Sequence, residues 1–222
     1  MLQQDSFDFL ARLKNNNSTQ WAHDQQDEMN RTKNDVTEFA ACIVAEVSKF
    51  DEAIAKKPPK PETCVTRLNR DLRFGKGKGP YKTDFYIVVG LQGIQGLAAS
   101  YAVHIEPGNC FVGGGAPNPK GPDLLNYRRK VSHGFKDFER IVTSHSFVEL
   151  FPNGIQSQSG KSLKRGPLQF EHDDPAMEYL KKDGFITREF LPDVRLTKSS
   201  GLKEIVDLLK GSKPLIDFLN RA

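Results

Sequence analysis

The sequence predicts an α+β fold, with an antiparallel central sheet drawn from the middle of the chain and flanked by N-terminal and C-terminal helices. Three observations predict it. Apolar residues recur at spacings of three and four up to residue 50. Runs rich in β-branched and aromatic residues, joined by short loops, fill the middle. Helix-start residues and helical spacing return after residue 120. The 222 residues read as one domain, 1–222, with a helical part 5–55, a β-rich part 62–115 and a mainly helical part 120–222. A chain of this length buries roughly 70% of its unfolded surface, so it needs no disulfide or metal to fold.

Each element follows from local chemistry. Ser6 reads as the cap of a short helix carrying Phe7, Leu10 and Leu13, and Asn15-Asn16-Asn17-Ser18 breaks it, because Asn and Ser bond local backbone. Ser18 or Thr19 then caps one long helix, apolar at three-and-four spacing from Val36 to Phe50. Lys56 to Pro61 ends it, since proline lacks the donor N–H. Cys64–Arg70, Asp84–Leu91, Ala99–Glu106 and a segment starting at Cys110 read as strands, and Gly113-Gly114-Gly115 as the end of the sheet. Helices are expected over 123–132 and 135–143, a turn over 146–151, and a polar loop over 153–166. Asp174-Pro175 starts a further helix to Lys182, and 185–191 is extended. Ser200 and Ser212 read as caps of two closing helices, 201–210 and 213–220.

Bulk composition narrows the function classes. No apolar run approaches the roughly 20 residues that span a bilayer. The first residues, MLQQDSFDFL, lack the basic and apolar regions of a signal peptide. The three cysteines, Cys42, Cys64 and Cys110, are odd in number and widely spaced, which fits a reducing cytoplasm and argues against a disulfide framework. Net charge is only +4, but its distribution is uneven. Residues 56–82 hold nine basic residues against Glu62 and Asp71, a net +7, which leaves the rest of the chain at −3. Such asymmetry points to an anionic partner.

Within that stretch lies Arg67-Leu-Asn-Arg70-Asp71-Leu-Arg73-Phe74, followed by Lys78 and Tyr81. This motif resembles the signature of a bacterial family catalogued as domain of unknown function 2461: Arg-x-x-Arg-Asp-x-Arg-Phe, then a Lys and a Tyr. The Asn-rich turn before Trp21 is similar to that family's N-terminal helix pair. His104-Ile-Glu106-Pro107-Gly108, Phe111-Val-Gly113-Gly114-Gly115 and Phe218-Leu-Asn220-Arg221-Ala222 match other segments, so the resemblance covers nearly the whole chain. It implies no activity, cofactor or catalytic residue. The segment after Phe74, Gly-Lys-Gly-Lys-Gly, departs from relatives richer in Ser and Asp.

The residues themselves suggest chemistry. In an extended chain Arg67, Asn69, Asp71 and Arg73 share one side, and Arg70 points to the other. Arginines grip phosphate or carboxylate through a planar fork, so Arg67, Arg70, Arg73, Lys78 and Tyr81 are the candidate ligand-binding residues. Asp71, His104 and Glu106 are the acid/base candidates, the last two sharing a strand face. A structural network of Asp71 with the arginines is the competing reading. Gly113 to Gly115 suggests either a plain chain reversal or an anion-binding nest. Gly77-Lys78-Gly79-Pro80 leads into a strand, unlike a phosphate-binding P-loop. Glu171-His172-Asp173-Asp174 is a poor metal cluster, since adjacent side chains rarely converge, and no cofactor or metal is expected. Cys64 is either a small buried residue or a thiol with a depressed pKa beside the arginines.

The reading is therefore an enzyme or binding protein for a small anionic, phosphate-bearing ligand. The alternatives are a nucleic-acid-binding module using 56–82 and an interaction protein whose arginine motif only holds the fold.

Overall fold

Helix α1 spans Gln4–Asn15 and begins two residues before its serine signal. Ser6 lies inside it, buried, and donates to the Asp35 carboxylate at 2.5 Å. The Gln3 amide donates to the same oxygen at 2.9 Å. A carboxylate from a distant helix thus satisfies the α1 N-terminus and its positive dipole end, and local sequence could not reveal it. The computed structural model describes residues 1–71, 79–94, 96 and 98–221.

Ser18 caps α2, Thr19–Asp24, by accepting from the Trp21 amide. The expected single long helix is divided at Gln25, where α3, Gln26–Ser48, takes over. Met29 N–H still bonds the Gln25 carbonyl, so the chain bends there rather than stopping. Val36, Phe39, Ala40, Ile43, Val44 and Val47 form the buried stripe of α3. Asp51 caps α4, Glu52–Lys56, by accepting from the Ala53 and Ile54 amides. The strand expected at Cys64–Arg70 is not regular. Pro61–Cys64 is a helical turn, α5, and the following residues pair with the next strand through isolated bridges.

Four strands form one antiparallel sheet in the order β1-β2-β3-β4. They are Phe85–Val89, Ser100–Ile105, Cys110–Ala116 and Phe185–Leu191. The glycine triplet does not end the sheet as expected: it lies inside β3, which is buried along all seven residues. A Cβ on Gly113 would stand 1.9 Å from the Thr187 carbonyl of β4, and one on Gly115 2.1 Å from the Phe185 carbonyl. Gly115 also has φ +125°, a region that favours glycine. These glycines are backbone-to-backbone packing positions, which leaves no open nest or turn there.

The helices after β3 are α6, Pro122–His133; α7, Phe135–Val142; α8, His145–Leu150; and α9, Met177–Leu180. Residues 146–151, expected as a turn, thus contribute to a helix, and the Asp174-Pro175 helix is short. After the short α10, Val194–Thr197, a 3-10 turn at Ser199–Gly201 leads into α11, Leu202–Asn220. The two expected closing helices are one. Ser212 is fully buried within α11 and bonds back to the Leu208 carbonyl at 3.0 Å. Pro214 is tolerated because it and Lys210, whose carbonyl it leaves unbonded, are both exposed.

Two compact units divide these elements. The first comprises the described residues up to Ile94 with Ala102–Val112 and Phe190–Val206. Its core includes Phe9, Leu10, Leu13, Phe39, Ile43, Phe85 and Ile87. The second comprises the described residues of 95–101 with Gly113–Glu189 and 207–221. Its core is built on Phe138, with Tyr179 at 4.9 Å and Phe218 at 5.4 Å between ring centroids. In that unit Asn220 clasps Ala99 through two 2.9 Å bonds, giving and accepting as a neighbouring strand would. No helix among the described residues is long and apolar enough to cross a membrane.

The glycine packing yields a graded test. Gly114→Ala sets its methyl 2.7 Å from the movable Ile216 Cδ1 and 3.0 Å from Ser212 Cβ, and is expected to cost about 1–3 kcal/mol. Gly113→Ala meets main-chain oxygen, which cannot rotate away, and should cost more than about 3 kcal/mol. Urea midpoints of the two variants would rank them; equal midpoints would contradict the packing account.

Candidate functional site

The arginine-bearing segment forms a ribbon with the chain entering β1. Asn69 bridges Tyr81 and Val65 bridges Ile87, both antiparallel. Arg70 N–H bonds the Pro80 carbonyl at 2.9 Å and Lys82 N–H the Leu68 carbonyl at 2.6 Å. Leu68 therefore sits opposite Lys82, and Arg70 opposite Pro80. Arg70 and Lys82 are diagonal neighbours on one face. Between the two bridges the β1 side has two extra residues, so the ribbon bulges near Thr83-Asp84.

Burial alternates along the segment as extended chain requires. Arg67, Asn69 and Asp71 are exposed, Leu68 is buried and Arg70 half-buried. Arg67 and Arg70 thus lie on opposite faces. Arg70 Nε donates to the Tyr81 carbonyl at 2.8 Å. Asn17, from the Asn-rich turn, gives its amide N–H to that same carbonyl and accepts the Tyr81 N–H, both at 3.0 Å. The chain entering β1 is therefore gripped at Tyr81 by a turn 64 residues upstream. Arg67 and Lys82 have no side-chain bond or ion pair among the described residues, and Arg70 has none beyond its Nε bond. The Tyr81 ring is half-buried. Arg73 and Lys78 lie outside the described residues.

His104 occupies β2 and is 3% exposed. Its Nδ1 lies 2.9 Å from the Asn109 carbonyl. A carbonyl only accepts, so Nδ1 carries a hydrogen. Nε2 faces the Asp84 carboxylate at 3.4 Å. With Nδ1 protonated, Nε2 can donate to Asp84 only in the imidazolium form, and otherwise a proton on Asp84 makes the bond. The Asp84 side chain is 23% exposed and is the end of this pair nearer to solvent. Glu106 falls one residue beyond β2. It accepts from Asn109 Nδ2 at 2.7 Å and stands 3.9 Å from Lys14. Asn109 therefore links His104 to Glu106, which do not bond directly.

One ring from each strand lines this part of the sheet. Tyr86 and His104 are 4.4 Å apart between centroids, His104 and Phe111 4.6 Å, and Phe111 and Phe190 5.7 Å. The file holds the imidazole in place from both sides. Sequence reasoning missed Asp84, Asn109 and Asn17. A carboxylate at a strand entrance and two turn asparagines carry no local signal of their tertiary partners.

Elsewhere the candidates are occupied or opposite in sign. Asp174 accepts from Ser132 Oγ at 2.5 Å and from the Ala176 amide at 2.8 Å. A cleft of about 570 Å³ in the first unit is lined by Asp5, Asp8, Glu28 and Asp35 along with Arg12 and Arg31. Arg12 pairs with Glu28. None of the ribbon arginines lines it.

A family model described as conserved hypothetical protein (DUF2461) matches residues 5–218. The chain belongs to the DUF2461 family. A search of curated proteins found no match, and neither did a search of solved structures. The description of DUF2461 proteins assigns no activity, so the chemistry rests on the geometry above.

Cys64 is not activated by the arginines that follow it. Burial pushes Cys64 up to about 11, with a smaller lowering from a Thr63 hydrogen bond. Burial likewise pushes Cys110 up to about 12. A raised thiol favours the folded chain fully below its unfolded value, and that contribution falls away as pH rises between about 8.5 and 12. At pH 8, Cys42, the half-buried one, is expected to alkylate first, with Cys64 and Cys110 protected until denaturant is added. Peptide mass mapping after iodoacetamide would check the order.

Proposed function

We propose that this chain binds a small anionic, phosphate-bearing ligand on the ribbon made by residues 65–71 and 80–87. One observation carries the reading. Arg67 and Lys82 have no acidic partner among the described residues, and Arg70 spends only its Nε. The charges of Arg67 and Lys82 and the terminal nitrogens of Arg70 are therefore available to a ligand. Arg70 and Lys82, on one face, would supply a fork and a point charge to the same oxyanion. Arg73 and Lys78 complete the candidate set from the same stretch of sequence, and Tyr81, opposite Asn69, stands on the Arg67 face.

An acid/base role, if the ligand reacts, falls to Asp84. Its carboxylate is within reach of solvent, and His104 behind it is held in one tautomer by the Asn109 carbonyl. His104 acts here as a positioning residue. Glu106 supports the Asn109 end of the same chain of bonds, and Asp71 lies on the exposed side with Arg67. Three free cysteines, two with raised pKa, are consistent with a cytoplasmic location.

Thermal shift and calorimetry with inorganic phosphate test the site. The native chain should bind saturably, and Lys82→Ala should weaken binding about tenfold or more, as expected when a charge-assisted hydrogen bond is lost. Arg67→Ala, on the opposite face, should have the smaller effect. A folded Lys82→Ala variant that binds phosphate like the native chain would sink the proposal. Binding to a single-stranded oligonucleotide that falls steeply with salt, with none to phosphate, would favour the nucleic-acid reading instead.

A further inference from the structure

We propose a second anion-binding site, in the other unit, for a small molecule bearing phosphate or carboxylate groups. It lies in a cleft of about 520 Å³ between α6 and the last turn of α11. That size is typical of small-molecule sites. Asn126, Arg129, Lys130 and His133 recur at helical spacing and present one stripe of α6 to the cleft. Phe218 of α11 and Arg221, just past its end, form the facing wall, and Gly134 closes the end. No carboxylate lines it.

The charges there are only partly committed. Lys130 Nζ donates to the Leu219 carbonyl at 3.0 Å and to the Arg221 carbonyl. It thereby tethers the end of α11, and its charge meets carbonyl dipoles rather than an acid. Arg221 lies over the Phe218 ring, 5.3 Å from its centroid, and reaches Asp137 at 3.2 Å. Asp137 is already shared, because Arg140 bonds its other oxygen at 2.9 Å. Arg129 and His133 are exposed and have no side-chain bond or ion pair among the described residues. The cleft therefore keeps a positive surplus after Asp137 is counted.

Three helix ends meet near the cleft: the start of α7, immediately after Gly134, and the carbonyl ends of α6 and α11, which Lys130 partly covers, so the positive surplus rests on the side chains. Gly134 is fitted closely to the wall: a Cβ there would stand 3.0 Å from the Phe218 ring. Arg129 offers a bidentate fork at the open side, and His133 and Asn126 offer single bonds beside it. An oxyanion seated there would neutralise Arg129 and lie against the start of α7.

The test is an amide NMR titration of the full chain with pyrophosphate and, separately, citrate. Saturable shifts at Gly134 and Phe135 are expected with at least one probe, and the preferred probe identifies the oxyanion. Arg129→Ala should weaken that binding about tenfold or more. Lys161→Ala removes an exposed lysine outside the cleft and should leave it unchanged. His133→Ala serves as a second variant should Arg129→Ala fold poorly. Absence of shifts at these amides with both probes overturns the proposal. So do shifts that persist in both cleft variants, or that Lys161→Ala reduces equally.

Discussion

The structure depends on the burial of β3. All seven of its residues are removed from solvent, and its centre carries no side chains. Gly113 and Gly115 let the β4 backbone approach to a distance that any Cβ would forbid. Gly114, between them, lets Ser212 and Ile216 of α11 press onto the opposite side. A strand so tightly enclosed cannot slip by a residue, because a slip would drive side chains into both neighbours. The fixed register then lines up Tyr86, His104, Phe111 and Phe190, one ring from each strand.

From that fixed frame the candidate site is built by exceptions to regular pairing. The ribbon of residues 65–71 does not continue the sheet as a full strand. It touches at two bridges and bulges between them. The bulge is where Asp84 leaves the run of β1 and meets His104. Asn17 and Arg70 then hold Tyr81 by its main chain, which fixes the entrance of the ribbon without using the Arg70 terminal nitrogens. Positioning and ligand-binding capacity thus reside in different atoms of one guanidinium.

Much of the fold was legible in the sequence, for reasons that particular residues make plain. Period-three-and-four spacing located α3, and Ser18 announced its helix with the bond its residue type suggests. The β1, β2 and β4 runs were visible as apolar strands. What escaped was decided at a distance. Ser6 was read as a cap, but a carboxylate 29 residues away does the capping. Ser212 and Pro214 looked like a helix boundary, but packing on β3 and exposure of Lys210 let α11 run through. The glycine triplet carries the local signature of a turn, and only β4, some 70 residues later, makes it a strand. In the site, the alternation of Arg67 and Arg70 was foreseeable from period two. The Asp84–His104–Asn109 chain of bonds was not, because its members meet only through the sheet.

The clasp of Ala99 by Asn220 has a consequence for biosynthesis. Donor and acceptor are separated by 121 residues. At 5–20 residues per second, translation takes roughly 6–24 s to supply the partner after Ala99 is made. During that interval the main chain at the entrance of β2 must be paired with water or with a surrogate. The nascent chain thus carries an unfinished strand entrance that a holding chaperone could shield until the closing helix arrives.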